Sequence, residues 1–94
     1  MESMAIRLRE AESKLEDLAF KSIPTRLAAL LQDLASDEKV VEGYTHQDLA
    51  EMLGTYRETA TQTLNEFKSN GWLEIGRKRI RILDLEALRL QAQL

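Results

Sequence analysis

Met1, Met4, Leu8, Ala11, Leu15 and Leu18 recur at alternating intervals of three and four residues, and most residues between them are charged. That is the a/d spacing of a coiled-coil seam, narrower than the apolar face of a helix buried in a globule. It predicts a helix through residues 1–21 whose Met4, Leu8, Ala11, Leu15 and Leu18 pack on a second copy of the chain. Packing of the same stripe on the chain's own domain is the alternative. Pro24 stops the pattern, because it has no N–H to donate and biases Ile23 away from the helical region. A hinge is expected there. Pro24 suits a first turn, and Leu27, Leu30, Leu31 and Leu34 then recur at i, i+3, i+4 and i+7, predicting a helix with one core-facing stripe. In the polar stretch "ASDEKVVEGY", Val40 and Val41 are a candidate short strand with Gly43 at the bend.

The next pattern is two short helices around a glycine. In "THQDLAEMLG" the Thr45 hydroxyl is placed to cap a helix and Asp48 to reciprocate, while Leu49, Ala50 and Leu53 form its inward face. Gly54 supplies the left-handed conformation that ends a helix and turns the chain. Thr55 and Glu58 repeat the capping arrangement, and Ala60, Leu64 and Phe67 mark the buried side of a second helix over 55–69. Gly71 closes it, with Trp72 expected in the core at the joint. Leu73 and Ile75, answered by Ile80 and Ile82 across "GRK", predict a two-stranded hairpin.

Composition alters this picture only when charge is divided along the chain. The total is -3, from thirteen Lys and Arg against sixteen Asp and Glu. Residues 1–56 hold six basic and eleven acidic side chains, whereas residues 57–81 hold six basic and three acidic. The basic group includes Arg57, Lys68, Arg77, Lys78, Arg79 and Arg81, a local footprint on an otherwise acidic body. There is no cysteine, which excludes disulfides, thiolate metal sites and a cysteine nucleophile from these residues. His46 is the one histidine. With no second ligand or nucleophile in view, it reads as a solvated first-turn residue, and neither enzyme nor metal site is expected. No stretch has the roughly 20 apolar residues of a membrane span, nor does the charged N-terminus suit a signal peptide. A cytoplasmic protein is expected.

The candidate chemistry lies on the outer face of the second helix. Tyr56, Arg57, Glu58, Thr61 and Gln62 all carry hydrogen-bonding groups, and a major groove admits one helix whose Arg, Gln and Glu pair with guanine, adenine and cytosine edges. Any amphipathic helix has a polar face, and capping would occupy Glu58. Arg77, Lys78, Arg79 and Arg81 on the hairpin suit sugar and phosphate beside a groove. A charged edge that blunts aggregation is the competing explanation.

"THQDLAEMLGTYRETATQTLNEFKSNGWLEIGRKRIRILD" resembles the C-terminal winged helix-turn-helix of the Crp/Fnr superfamily of bacterial transcription regulators. "LREAESKLEDLAFKSIPTRLAALLQDLA" looks like the end of that family's dimerisation helix, the hinge and the first helix of its DNA-binding domain. The resemblance implies a mainly α fold with a small antiparallel β wing, with 1–21 ending a dimerisation helix and 22–94 forming the DNA-binding domain. It implies a homodimer on double-stranded DNA regulating transcription, with a recognition helix at 55–69 in the major groove and a basic wing at 76–81 on the backbone. Arg57 and Glu58 match the family's base-contacting pair, and Thr45 and Gln47 match positions that touch phosphate. Gln62 and Tyr56 depart from the usual residues. RNA polymerase is a candidate partner. No cofactor is expected in this segment; a cyclic nucleotide or other effector belongs to an upstream sensor domain that this sequence lacks, so a piece of a longer regulator is expected. A winged helix used for protein association is the alternative.

Overall fold

The computed structural model describes residues 22–94, so the expected seam of Met4, Leu8, Ala11, Leu15 and Leu18 lies outside the described residues. Helix α1 spans Ile23–Leu34 and begins where the Ser22 side chain accepts from the Thr25 N–H, with Pro24 in the first turn. The proline costs nothing there, because first-turn N–H groups have no partner inside the helix. Leu27 and Leu31 are fully buried, while Leu30 and Leu34 pack on the margin of the core.

Strand β1 (Val40–Glu42) follows, then helix α2 (His46–Leu53), helix α3 (Arg57–Ser69), strands β2 (Leu73–Gly76) and β3 (Arg79–Ile82), and helix α4 (Leu85–Ala92). The expected hairpin of β2 and β3 and the candidate strand at Val40 and Val41 both form, and they join in one three-stranded sheet of order β1-β3-β2 with both pairings antiparallel. Val41 stands opposite Ile80, which also faces Ile75 on β2, so the central strand buries Ile80 and Ile82 between two neighbours. A hairpin of two strands is marginal alone, and the third strand supplies the missing edge.

Helix α4 was not foreseen. Asp84 caps it by accepting from the Ala87 N–H, and its Leu88 is buried against α1. Two glutamines secure that seam: Gln32 Nε2 donates to the Leu88 carbonyl at 3.2 Å, and Gln91 Nε2 to Thr25 Oγ1 at 3.4 Å.

One core joins all the elements. Leu27, Leu31, Leu49, Leu64, Leu73 and Leu88 have no more than 2% of their surface exposed. Burying each such side chain contributes about 1.5–3 kcal/mol, which holds the short helices that would not persist alone. Trp72 is half-buried rather than central, with its ring centroid 5.2 Å from that of Phe67.

Candidate nucleic-acid interface

Helix α2 starts with both halves of the expected capping box. The Asp48 N–H donates to Thr45 Oγ1 at 3.0 Å, and the Thr45 N–H donates to Asp48 Oδ2 at 2.9 Å. Hydrogen bonding from the Thr45 N–H and, after it, the Thr45 side chain holds the Asp48 carboxyl below its ordinary range, and the Lys78 ammonium lowers it further.

Gly54 ends α2 at a φ of 73°, and its N–H and that of Thr55 return to carbonyls of the last turn. Gly54, Thr55 and Tyr56 are all that separate α2 from α3. At the start of α3 the expected second box is absent. Tyr56, not Thr55, is the N-cap, with extended backbone and no side-chain cap bond. The helix therefore begins at Arg57, two residues later than expected, and Glu58 is exposed rather than turned back into a cap. An acidic residue in the first turn still complements the helix dipole from there.

Ala60, Thr63, Leu64 and Phe67 bury the inner side of α3. Thr63 disposes of its hydroxyl by donating to the Thr59 carbonyl at 2.9 Å. On the opposite side Arg57, Glu58 and Gln62 are exposed, and the surface they share continues through Asn65 and Ser69. Asn65 and Ser69 were not singled out from sequence, although each stands seven residues after Glu58 or Gln62 and so repeats their face. Among the described residues, the side chains of Arg57, Glu58 and Gln62 enter no hydrogen bond or ion pair. Tyr56 is 79% exposed at the edge of this face.

The structure separates the other candidates. Gln47 donates its amide to Glu51 Oε2 on its own helix at 3.0 Å, whereas the Thr45 hydroxyl accepts the cap bond and also lies against the Asp48 carboxyl. Thr61 is half-buried, and its Oγ1 lies 2.9 Å from His46 Nδ1. His46 is thus no freely solvated residue. It links the first turn of α2 to the middle of α3, a long-range contact with no periodic signal.

Wing geometry follows from β2 and β3. Arg77 and Lys78 form the two-residue turn, with Lys78 at a φ of 52°. The Lys78 carbonyl accepts from the Gly43 N–H at 2.8 Å, so the end of β1 fixes the tip. Arg77, Lys78 and Arg79 are exposed, while Arg81 is paired with Glu74 at 3.6 Å. Lys68 from the last turn of α3 lines a shared cleft with Glu74, Ile75, Arg79 and Arg81, which brings the end of α3 and the wing together.

The match to known families is decided over residues 25–90, which fit the Crp-like helix-turn-helix domain. The chain belongs to the Crp/Fnr family of transcription regulators. Crp/Fnr proteins bind DNA as dimers and are not enzymes. The transcriptional regulator SdrP of Thermus thermophilus is 34% identical over 93 residues, a match covering 92% of this chain and 46% of that protein. A CRP-like cAMP-activated global transcriptional regulator of Mycobacterium tuberculosis is 33% identical, covering 96% of this chain and 44% of that protein. Among solved structures, a CRP/FNR-family transcriptional regulator of Thermus thermophilus superposes with a TM-score of 0.73 at 32% identity, covering 97% of this chain and 50% of that one. The chain thus spans about half the length of its Crp/Fnr relatives. Among the described residues no helix is long and apolar enough to cross a membrane, and no three His, Cys, Asp or Glu side chains are grouped to hold a metal.

Proposed function

We propose that this chain binds double-stranded DNA sequence-specifically as a homodimer and regulates transcription, with α3 in the major groove and the wing on the adjacent backbone. Arg57, Glu58 and Gln62 read base edges, Thr45 contacts phosphate at the start of α2, and Arg77, Lys78 and Arg79 neutralise phosphates. The observation that carries this reading is the outer face of α3. Three side chains able to pair with guanine, cytosine and adenine project from it uncommitted to partners among the described residues, on a helix whose other side is locked into the core. The separate finding that Glu58 takes no part in capping removes the simplest structural use for it.

Dimerisation is assigned to the 1–21 stripe, since two recognition helices must sit about 34 Å apart to enter successive major grooves. RNA polymerase as a partner, a cytoplasmic setting and an effector-binding domain in a longer protein complete the reading; the cAMP activation named for the Mycobacterium tuberculosis relative supports a cyclic nucleotide as one such effector. Residues 1–21 end the dimerisation helix and 22–94 form the DNA-binding domain.

Selection of bound duplexes from a random pool tests the proposal. The parent should return one defined half-site, Arg57→Ala should lose preference among duplexes, and Gln62→Arg should change one adenine per half-site to guanine. A parent that returns no enriched sequence would overturn base reading and favour the protein-association alternative.

A further inference from the structure

We infer that Thr61 reads a thymine methyl group in the major groove, and that His46 is the positioning residue that imposes this by holding the Thr61 hydroxyl. The inference rests on the reading of α3 as the groove-entering helix and adds to it a residue, a base and a device. Threonine carries a hydroxyl and a methyl group on one carbon, and free to rotate it pairs with either kind of base edge, so it discriminates weakly. Here the hydroxyl oxygen is held in place. Its Oγ1 lies 2.9 Å from His46 Nδ1, and in either neutral tautomer of the ring that distance makes a hydrogen bond: the hydroxyl donates to a bare Nδ1 or accepts from Nδ1–H.

The surroundings make this placement specific. Thr61 follows Arg57 by four residues and Glu58 by three, so it lies on the flank of the base-reading face, half-buried toward α2. Thr63, on the core side of the same helix, settles its hydroxyl against the Thr59 carbonyl within α3. Thr61 instead bonds its hydroxyl to another helix. His46 is the first residue of α2, and the Thr45–Asp48 capping box fixes the backbone from which its ring extends. With Oγ1 held toward α2, the methyl is the group left for the groove. The C5-methyl of thymine is the apolar feature among the major-groove edges of the four bases, and apolar contact with it is how a threonine methyl selects a base.

The test uses the 94-residue chain and its selected duplex, with thymines replaced one at a time by deoxyuracil, which removes the methyl and leaves every hydrogen-bonding group in place. The parent should bind roughly fourfold more weakly when one particular thymine per half-site is replaced, the effect of losing one buried methyl-sized contact. Thr61→Val keeps the methyl and discards the hydroxyl, so it should retain that sensitivity. Thr61→Ser should bind thymine and uracil duplexes equally. His46→Ala releases the hydroxyl and should reduce the thymine-to-uracil ratio toward one without touching DNA itself. A parent indifferent to every single replacement, or a Thr61→Ser variant as sensitive as the parent, would overturn the inference while leaving base reading by Arg57 and Glu58 standing. A parent that selects no duplex at all would overturn the proposed function, and this inference with it.

Discussion

Neutralising the wing tip gives a change whose size follows from how the basic residues are disposed. Four basic side chains lie on β3 and its turn, but Arg81 is paired with Glu74 at 3.6 Å, which leaves Arg77, Lys78 and Arg79 as the full charges presented at the tip. The variant is Arg77→Gln, Lys78→Asn and Arg79→Gln; asparagine is chosen because position 78 has a φ of 52°, which it tolerates better than glutamine does. Each phosphate neutralised on duplex DNA contributes about 0.9 to the slope of log affinity against log salt. Three contacts contribute about 2.7 per wing, so raising salt from about 50 to about 200 mM should cost the parent about 40-fold more affinity per wing than the variant. Fluorescence anisotropy of a labelled duplex, titrated at several salt concentrations, reads both slopes. Arg81→Gln should flatten the slope less than Arg79→Gln, since Glu74 already balances part of that charge. All three substituted residues are exposed, so unfolding stability should change by no more than about 0.5 kcal/mol. Equal slopes for the parent and the triple variant would refute placement of the wing on the backbone.

Two further expectations concern the helix-turn-helix itself. Because the bonds from Thr45 lower the Asp48 carboxyl in the folded state, its contribution is fully present above its unfolded pKa of about 3.9 and is lost as pH falls through the lowered folded value. The melting temperature of the parent should therefore exceed that of Asp48→Asn at neutral pH, and the gap should narrow below about pH 4; a constant gap down to about pH 2 in circular dichroism melts would count against the capping box as its source. Gly54→Ala should destabilise the domain by roughly 1 to 2 kcal/mol in urea titration, a backbone cost only, since a Cβ at a φ of 73° would meet nothing within 4 Å. A cost near zero would show that the left-handed turn is not required there.

Local chemistry was legible in the chain by itself. The Thr45–Asp48 box, the left-handed Gly54, the buried Ala60, Leu64 and Phe67, and the exposed Arg57, Glu58 and Gln62 all follow from spacing within one or two turns. So does the alternation of Ile80 and Ile82, because period two and period 3.6 each name a face without reference to anything distant. Tertiary structure decided the rest. Spacing offered Thr55 and Glu58 as a second capping box, but the three-residue connection carries Thr55 into the turn and makes Tyr56 the cap, which frees Glu58. Val40 and Val41 were visible as a strand, yet only folding assigns β1 to β3, seats Val41 opposite Ile80 and ties the Gly43 N–H to the wing tip. Helix α4 is as short as α2 but lacks the reciprocal capping box and closing glycine that mark α2 in the sequence, and it persists because Leu88 is buried against α1. The His46–Thr61 contact joins residues fifteen positions apart on two helices. A sequence pattern records which face of an element must leave water; which other element receives that face depends on how the Gly54 turn and the shared core set the helices and strands against one another.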